Sequence, residues 1–167
     1  MEEKKRERYV QFVKQCKTMM ISTIDERGEP FISYAPFVID ESHFYILISR
    51  TAEHFQYIER NERVSVLLIA DEATSTNLFA RERVRFTCKR THIGNNGNDH
   101  IFAKFEDIHG KPMIRLLRSI DFSLFQLTPM EGRYVVGFGQ AFDVDLNGER
   151  FTHVIVNKNE EGRLEGQ

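Results

Sequence analysis

The sequence predicts a mainly β fold with peripheral helices, in which six or seven antiparallel strands form a closed or partly closed barrel. Short apolar segments follow one another along the chain, and turns such as Asp25-Glu26-Arg27-Gly28 join them in the manner of hairpins. The helical segments do not alternate regularly with the strands, as they would around a parallel sheet. The 167 residues, 41% of them hydrophobic and 29% charged, suffice for one such domain with its own core.

The first half of the chain contains two predicted helices and four predicted strands. Residues 2–16 place Tyr9, Phe12 and Val13 on one side of a helix, with charged residues on the other. Thr51 is a suitable N-cap for the second helix, because its side-chain oxygen can accept a hydrogen bond from the first turn. The expected elements are a helix over 2–16, strands over Met19–Ile24, Phe31–Val38 and Phe44–Ile48, a helix over Thr51–Asn61 and a strand over Arg63–Ala70.

The second half adds two short helices and the remaining strands. Apolar residues recur at helical spacing between 101 and 117, but Gly110 and Pro112 interrupt them, so two short helices are expected there. Gly137-Phe138-Gly139 is interpreted as a bend inside a strand, because it lacks the third glycine of a phosphate-binding loop. The expected strands are Arg83–Lys89, Phe122–Pro129, Arg133–Val144 and Phe151–Val156, with a loop over His92–His100 and a break at Met130-Glu131-Gly132.

The composition limits the cellular compartment and the classes of partner that we expect. Residues 1–16 are assigned to the N-terminal helix, 17–156 to the barrel domain and 157–167 to a polar tail. No apolar run approaches the roughly 20 residues of a membrane span, and the charged N-terminus has no apolar leader, so a cytoplasmic protein without membrane binding is expected. Cys16 and Cys88 are too few for a disulfide framework. A net charge of −2 argues against general nucleic-acid binding.

A cluster of arginines is the most suggestive local feature. If a strand begins at Arg83, its side chain and that of Arg85 share one face, and Arg81 lies close to the start of the strand. A guanidinium recognises carboxylates and phosphates well, because it donates two parallel hydrogen bonds and stays charged. Haem propionates and a flavin phosphate both fit, and the alternative is a barrel exterior with ordinary salt bridges. None of the six histidines lies in a spaced metal motif, so no zinc site is expected.

Four segments taken together resemble a known family. They are Ser33–Val38 (SYAPFV), Leu47–His54, Leu78-Phe79-Ala80-Arg81 and Gly137–Ala141 (GFGQA). In this order, from about Lys17 to about Val144, they resemble the HugZ/HutZ-type haem-utilisation proteins, a branch of the pyridoxamine 5′-phosphate oxidase-like FMN-binding split-barrel superfamily. The resemblance implies an antiparallel split β-barrel of six to seven strands, whose homodimer interface makes two equivalent sites.

The resemblance also implies which residues meet the ligand. In the wider superfamily the FMN phosphate is held after the third strand, here from Ser49 to His54, with Arg50 as the basic residue. Glu53 stands where a flavoenzyme would usually offer a cation, and its carboxylate would repel a phosphate dianion. This departure resembles the haem branch, in which haem occupies the interface and is degraded with oxygen and an electron donor. Arg81 and Arg83 match the basic positions near haem in that branch.

The iron ligand is where this chain departs from the branch. Relatives carry a histidine in the C-terminal tail, and this chain has Arg163 in its place. A guanidinium stays protonated and offers iron no lone pair. His153, the nearest tail histidine, is then the candidate ligand to haem iron, and His54 is a second candidate. Asp121 matches an acidic position that could accept a hydrogen bond from a ligating imidazole.

Three functions remain open at this point. The first is haem binding and haem degradation at the dimer interface, with Arg81 and Arg83 on the propionates. The second is an FMN-dependent oxidoreductase like pyridoxamine 5′-phosphate oxidase, with Arg50 also at the phosphate. The third is haem storage or transfer without catalysis, because a fold does not by itself fix a function.

Overall fold

A computed structural model describes residues 1–155 of the chain. The helices are α1 (Glu2–Gln15), α2 (Glu53–Arg60), α3 (Asp99–His109) and α4 (Lys111–Ser119), and short 3-10 turns lie at Glu72–Thr74 and Leu78–Ala80. The strands are β1 (Thr18–Ile24), β2 (Pro30–Asp40), β3 (His43–Ser49), β4 (Arg63–Ile69), β5 (Arg83–His92), β6 (Phe122–Gly137), β7 (Gln140–Val144) and β8 (Phe151–His153).

Six strands form the barrel, in the order β3-β2-β1-β4-β5-β6, and each neighbouring pair is antiparallel. Pairing of β3 with β6, from Phe44↔Leu127 to Ser49↔Phe122, closes the sheet on itself. The first half of β6 pairs with β3, and its second half pairs with β7, from which β8 extends the sheet. The predicted antiparallel barrel is therefore confirmed, with two further strands at one side.

The course of β6 corrects one prediction. The sequence predicts a break at Met130-Glu131-Gly132, but β6 runs through this segment as one strand. Its pairing continues there, with Glu131 opposite Thr87 and Gly132 opposite Phe86. Gly132 allows close approach rather than a turn, because a Cβ added to it would lie 2.5 Å from the Phe86 ring and 2.8 Å from the carbonyl oxygen of Val144.

The end of β6 corrects a second prediction. A single strand over Arg133–Val144 is predicted, with a bend at Gly137–Gly139. Instead β6 ends at Gly137 and β7 begins at Gln140, so that Phe138 and Gly139 form a hairpin turn in which Gly139 has a φ of 66°. β8 ends at His153, earlier than predicted. Val156 and the predicted tail, 157–167, lie outside the described residues.

Aromatic side chains fill the barrel interior. Phe37, Phe44, Phe86 and Phe125 are each at most 2% exposed. The Phe44 ring meets Phe37 and Phe86 edge-on, at centroid distances of 5.2 and 5.6 Å. Burying each such side chain contributes about 1.5–3 kcal/mol. The cluster therefore fixes β2, β3 and β5 in register around one core.

β3 is buried on both faces. Phe44 and Ile46 point into the barrel, whereas Tyr45 and Leu47 point outward beneath α3 and α4, in a second core with Phe102. Two-sided burial explains why this strand is apolar almost throughout instead of alternating. The α3–α4 pair thus covers the side of the barrel next to the end of β3.

α1 covers another part of the barrel. Its Tyr9 and Phe12 rings lie 4.9 and 5.9 Å from the Tyr134 ring, centroid to centroid. The Tyr9 hydroxyl donates a hydrogen bond of 2.6 Å to the carbonyl oxygen of Asp145. Cys16, just after the helix, and Cys88 are both free thiols. Within residues 1–155, no helix has the length and apolar character needed to cross a membrane.

Candidate functional site

The predicted ligand-binding residues fall into two groups at opposite ends of β5. The first group, which we call the Asp121 end, comprises Ser49, Arg50, His54 and Asp121. The second group, which we call the Arg81 end, comprises Arg81, Arg83 and His153. β5 has ten residues and runs from one end to the other, a distance of about 30 Å. A single chain therefore does not bring the two groups together.

At the Asp121 end, one carboxylate organises the turn from β3 into α2. Asp121 Oδ2 accepts hydrogen bonds from Ser49 Oγ at 2.6 Å, from the Thr51 backbone N–H at 3.2 Å and from Thr51 Oγ1 at 3.1 Å. These bonds stabilise the ionised form, the one from Ser49 most, and lower the pKa of the Asp121 carboxyl. Asp121 is thus ionised, and its other oxygen, Oδ1, is the one that could accept from a ligand.

Arg50 lies within the same turn. Its backbone N–H donates to the carbonyl oxygen of Asp121 at 3.1 Å, which fixes the residue at the start of β6. Its guanidinium stacks over the Phe55 ring at 5.5 Å, and Nη2 donates to Ser123 Oγ at 3.4 Å. Because one N–H is used in this way, the remaining N–H groups can donate to an anionic ligand.

His54, the second candidate iron ligand, lies in the first turn of α2. Its Nδ1 is buried and has no hydrogen-bond partner among residues 1–155. Burial lowers the pKa of the His54 imidazole, because the charged form loses hydration. A neutral imidazole is the form that binds a metal ion, and because Nδ1 is buried, a metal would have to approach the other nitrogen, Nε2.

At the Arg81 end, both arginines are held by backbone carbonyls. Arg81 Nε donates to the carbonyl oxygen of Ala70 at 2.6 Å, and Arg83 Nη1 donates to the carbonyl oxygen of Arg81 at 2.8 Å. Arg81 lines a cleft of about 820 Å³ that lies between α1, the start of β1 and the 70–82 segment. Arg8 and Lys17 line the same cleft, so its cations could meet an anionic group.

Large apolar side chains are exposed beside these arginines. Leu78, Phe79 and Phe138 are 56%, 89% and 71% exposed. The first two lie three and two residues before Arg81, and Phe138 follows the end of β6, which lines the cleft through Val136. Exposed aromatic side chains next to fixed cations suit a ligand with a flat apolar body and anionic groups.

His153 lies on β8 at the same end of the sheet. Its Nε2 is 2.9 Å from the carbonyl oxygen of Gly139, and its ring contacts Phe142 at 5.2 Å. Because a carbonyl only accepts, Nε2 carries a proton, and in the neutral ring Nδ1 keeps the lone pair. Within the described range no three His, Cys, Asp or Glu side chains lie together as a metal site. Arg163 lies outside that range.

Sequence reasoning missed two features of the molecule. The first is a chain of contacts at the Asp121 end that joins Glu59, His92 and Ser123 to Arg50. The second is an apolar area on the outer face of β1, β2 and β4, which we call the sheet-face patch: Met20, Ile32, Tyr34 and Leu67. Met20 pairs with both Tyr34 and Leu67. The sequence signal for this patch was the presence of apolar residues at the outward-facing, alternate positions of β2.

Comparison with known proteins places the chain in a family. The model for pyridoxamine 5′-phosphate oxidase matches residues 6–136. The haem oxygenase HutZ of Vibrio cholerae is 35% identical over 136 residues, which are 80% of this chain and 77% of HutZ. The chain belongs to the pyridoxamine 5′-phosphate oxidase-like split-barrel family, as a HutZ-type member.

Solved structures support the assignment of this chain to the HutZ-type proteins. A crystal structure of HutZ from Vibrio cholerae, described there as a haem storage protein, matches with a TM-score of 0.71 and 32% identity over 77% of this chain and 93% of that one. Campylobacter jejuni ChuZ matches with a TM-score of 0.82 and 31% identity over 91% of this chain, which spans 63% of ChuZ. The predicted family and the predicted split barrel are both confirmed.

Proposed function

We propose that this HutZ-type chain binds haem between two copies of itself and degrades it with oxygen and an external electron donor. The separation of the two ends is the observation that carries the proposal. The Arg81 end and the Asp121 end lie about 30 Å apart in one chain. Only a second copy in the opposite orientation can bring one end of each kind to the same ligand. The name of the relative, haem oxygenase HutZ, supports the choice of reaction.

The sheet-face patch supports the homodimer. Met20, Tyr34 and Ile32 are 39%, 53% and 67% exposed, although they lie side by side in the middle of a sheet. Contiguous exposed apolar surface of this kind is typical of protein interfaces. A twofold axis through the patch makes the interface self-complementary and yields two equivalent sites.

The residues at the two ends fit haem better than FMN. Phe79 and Phe138 offer exposed rings to a large planar macrocycle, and Arg81 and Arg83 suit two propionates. Glu53 begins α2, in the segment that holds the flavin phosphate in the wider superfamily, and its carboxylate would repel a phosphate dianion. Haem iron needs a neutral imidazole, which His54 or His153 would supply in the proposed dimer.

Absorption spectroscopy of the purified full-length chain tests this function. Addition of one equivalent of haem should give a ligand-type Soret band, and ascorbate under air should then bleach it. The band should weaken in His54→Ala or in His153→Ala, but not in His109→Ala, whose Nε2 bonds to the carbonyl oxygen of Phe37. A wild-type spectrum in both variants would refute both ligand assignments. Flavin bands in the untreated protein, without a haem response, would refute the function.

Two further functions have their own support. The description of HutZ as a haem storage protein favours non-catalytic haem storage or transfer, which predicts a Soret band that no reductant bleaches. The family model favours FMN chemistry, with Arg50 at the phosphate, and predicts a yellow protein after gel filtration. The free thiols of Cys16 and Cys88 fit the proposed cytoplasmic location, and neither membrane nor nucleic acid is a proposed partner.

A further inference from the structure

His92 ends β5 inside a group of aromatic rings. The Phe125 ring stacks on the imidazole at 4.5 Å with an interplanar angle of 24°, and the Phe55 ring meets it edge-on at 5.4 Å. The same Phe55 ring lies beneath the Arg50 guanidinium. These contacts fix the plane of the imidazole and leave its two nitrogens at defined places.

Hydrogen bonds connect this imidazole to Arg50 through one serine. His92 Nε2 lies 2.8 Å from Ser123 Oγ, and Arg50 Nη2 donates to the same oxygen at 3.4 Å. On the other side of the ring, Nδ1 lies 3.4 Å from Glu59 Oε1. Ser123 is 1% exposed, so this buried hydroxyl depends on its two protein partners.

The chemistry of these groups fixes the order of the protons. Arg50 can only donate, so Ser123 Oγ accepts from it and directs its own proton toward His92 Nε2. The imidazole then carries its proton on Nδ1, which faces the Glu59 carboxylate. The other neutral tautomer would turn an Nδ1 lone pair toward that carboxylate and leave the serine proton without an acceptor.

We infer that His92 is a positioning residue: through Ser123 it holds the Arg50 guanidinium in place for an anionic group of the ligand, and protonation of the imidazole releases that hold. This inference rests on the proposed function, in which the Asp121 end, and Arg50 with it, meets the same ligand as the Arg81 end of the second copy. It deepens that function by assigning to the site a dependence on pH.

Protonation acts through the hydroxyl. A proton on Nε2 turns that nitrogen into a donor, so Ser123 Oγ faces two donors and its own proton loses its acceptor. The hydroxyl can accept from both donors through its two lone pairs, but only by turning its own proton away from any partner, and the imidazolium then places a second positive charge beside the serine. The unpaired proton of this buried hydroxyl and the repulsion between the two cations both weaken the hold on Arg50. An imidazole changes charge between about pH 5 and pH 8 more readily than any other side chain.

The charged groups around His92 come from three elements. Glu59 on α2 and Arg50 before α2 are the charged partners described above. Asp121 at the start of β6 is turned toward Ser49 and Thr51 instead. On β5 itself, Arg90 donates to the carbonyl oxygen of Asn61. The imidazole of His54, also on α2, has a buried Nδ1 that bonds to none of the described residues.

The ligand-free protein gives the first test. Nitrogen-15 NMR of the arginine side chains, with Arg50 assigned by Arg50→Gln, should show resolved Arg50 signals near pH 8 and broadened ones near pH 5. In His92→Gln the amide oxygen accepts the serine proton at every pH, so the Arg50 signals should stay resolved. The inference would be overturned if the line widths of the Arg50 signals did not change with pH in the wild type, or if the signals broadened equally in His92→Gln.

Haem titration gives the second test. The wild type should lose affinity about five- to tenfold more than His92→Gln between about pH 8 and pH 5, as expected for one charge-assisted contact. Ser123→Ala should bind weakly at both pH values, and the matched control His109→Gln should keep the wild-type profile. Parallel profiles for wild type and His92→Gln would refute the positioning role. If the wild type binds no haem at either pH, the proposed function fails, and the NMR test still decides the role of His92.

Discussion

The Tyr134 hydroxyl lies 2.5 Å from the carboxylate of Glu82, the residue between Arg81 and Arg83 in the chain. Arg8 Nε donates to the same oxygen of Glu82 at 2.9 Å. The Tyr134 ring is fully buried, and burial raises the pKa of its hydroxyl, so tyrosine is always the donor. Glu82 is thereby fixed, and with it the directions in which Arg81 and Arg83 leave the backbone.

We expect Tyr134→Phe to lower the free energy of unfolding by about 1–3 kcal/mol, because it removes a hydrogen bond to a charged group. Haem affinity should fall with it, since Arg81 and Arg83 lose their common support. Urea denaturation measures the first effect and Soret titration the second. Arg8→Gln removes the more exposed partner and should cost less. Equal unfolding midpoints for Tyr134→Phe and wild type would contradict this role of Glu82.

Gly132→Ala should destabilise the protein by about 2–3 kcal/mol, because the added methyl group meets the Phe86 ring and a backbone oxygen that cannot move aside. Gly137→Ala is the matched control in the same strand, since its added Cβ meets only the flexible Gln140 side chain, at 3.2 Å. Thermal unfolding of both variants measures the difference in their stability. A similar loss in the two would show that close approach at Gly132 is not limiting.

Asp121→Asn should lower the melting temperature at neutral pH. Hydrogen bonds from Ser49 and Thr51 lower the pKa of this carboxyl, so its stabilising effect is present above the unfolded-state value of about 4. The effect is lost as the pH falls through the lower folded-state pKa, and the two proteins should then melt alike. Asp99→Asn, which removes an exposed ion pair with Arg118, serves as control. A constant difference between Asp121→Asn and wild type from neutral to acid pH would exclude this linkage.

Tyr34→Glu should convert the proposed dimer into a monomer, because it places a charge at the centre of the sheet-face patch. Sedimentation velocity measures the mass, and a Soret titration of the same sample should show lost haem affinity. Met113→Glu, at an exposed apolar position on α4, should leave both unchanged. A Tyr34→Glu protein that sediments like the wild type would locate the interface elsewhere.

Phe79→Ser should weaken haem binding about five- to tenfold, since a ring that contacts the macrocycle is lost. Leu116→Ser removes an exposed apolar side chain from α4 that belongs to neither group of predicted ligand-binding residues, and should not change affinity. Equal affinity for haem in Phe79→Ser and wild type would mean that this exposed ring serves another partner.

The sequence was sufficient for the strands whose apolar pattern is local. β3 was predicted because burial on both faces leaves an apolar run that can be seen without any partner. The break at Met130–Gly132 was wrong because a glycine needed for close approach looks like a glycine needed for a turn. The difference depends on Phe86, which meets Gly132 only after β5 and β6 have paired.

The candidate site was predictable residue by residue but not as an arrangement. Arg81, Arg83 and Asp121 were selected from motifs. The motifs could not show that Asp121 lies near one end of β5 and the two arginines near the other. His92 was assigned to a loop, and its partners Glu59 and Ser123 come from α2 and β6. Contacts between residues of different elements depend on the register in which the strands pair, and the local pattern of apolar residues does not reveal that register.

The bond between Ser49 and Asp121 spans 72 residues of chain and lies where β3 meets β6. Contacts between such distant residues are costly to form, because the loop between them must first be closed. A chain whose barrel is still open therefore has no Asp121 end, however well its hairpins have formed. Any ligand that binds there selects the closed barrel over every open form and draws the folding equilibrium toward it by mass action. Haem supply would then set the amount of folded protein as well as the amount of occupied protein.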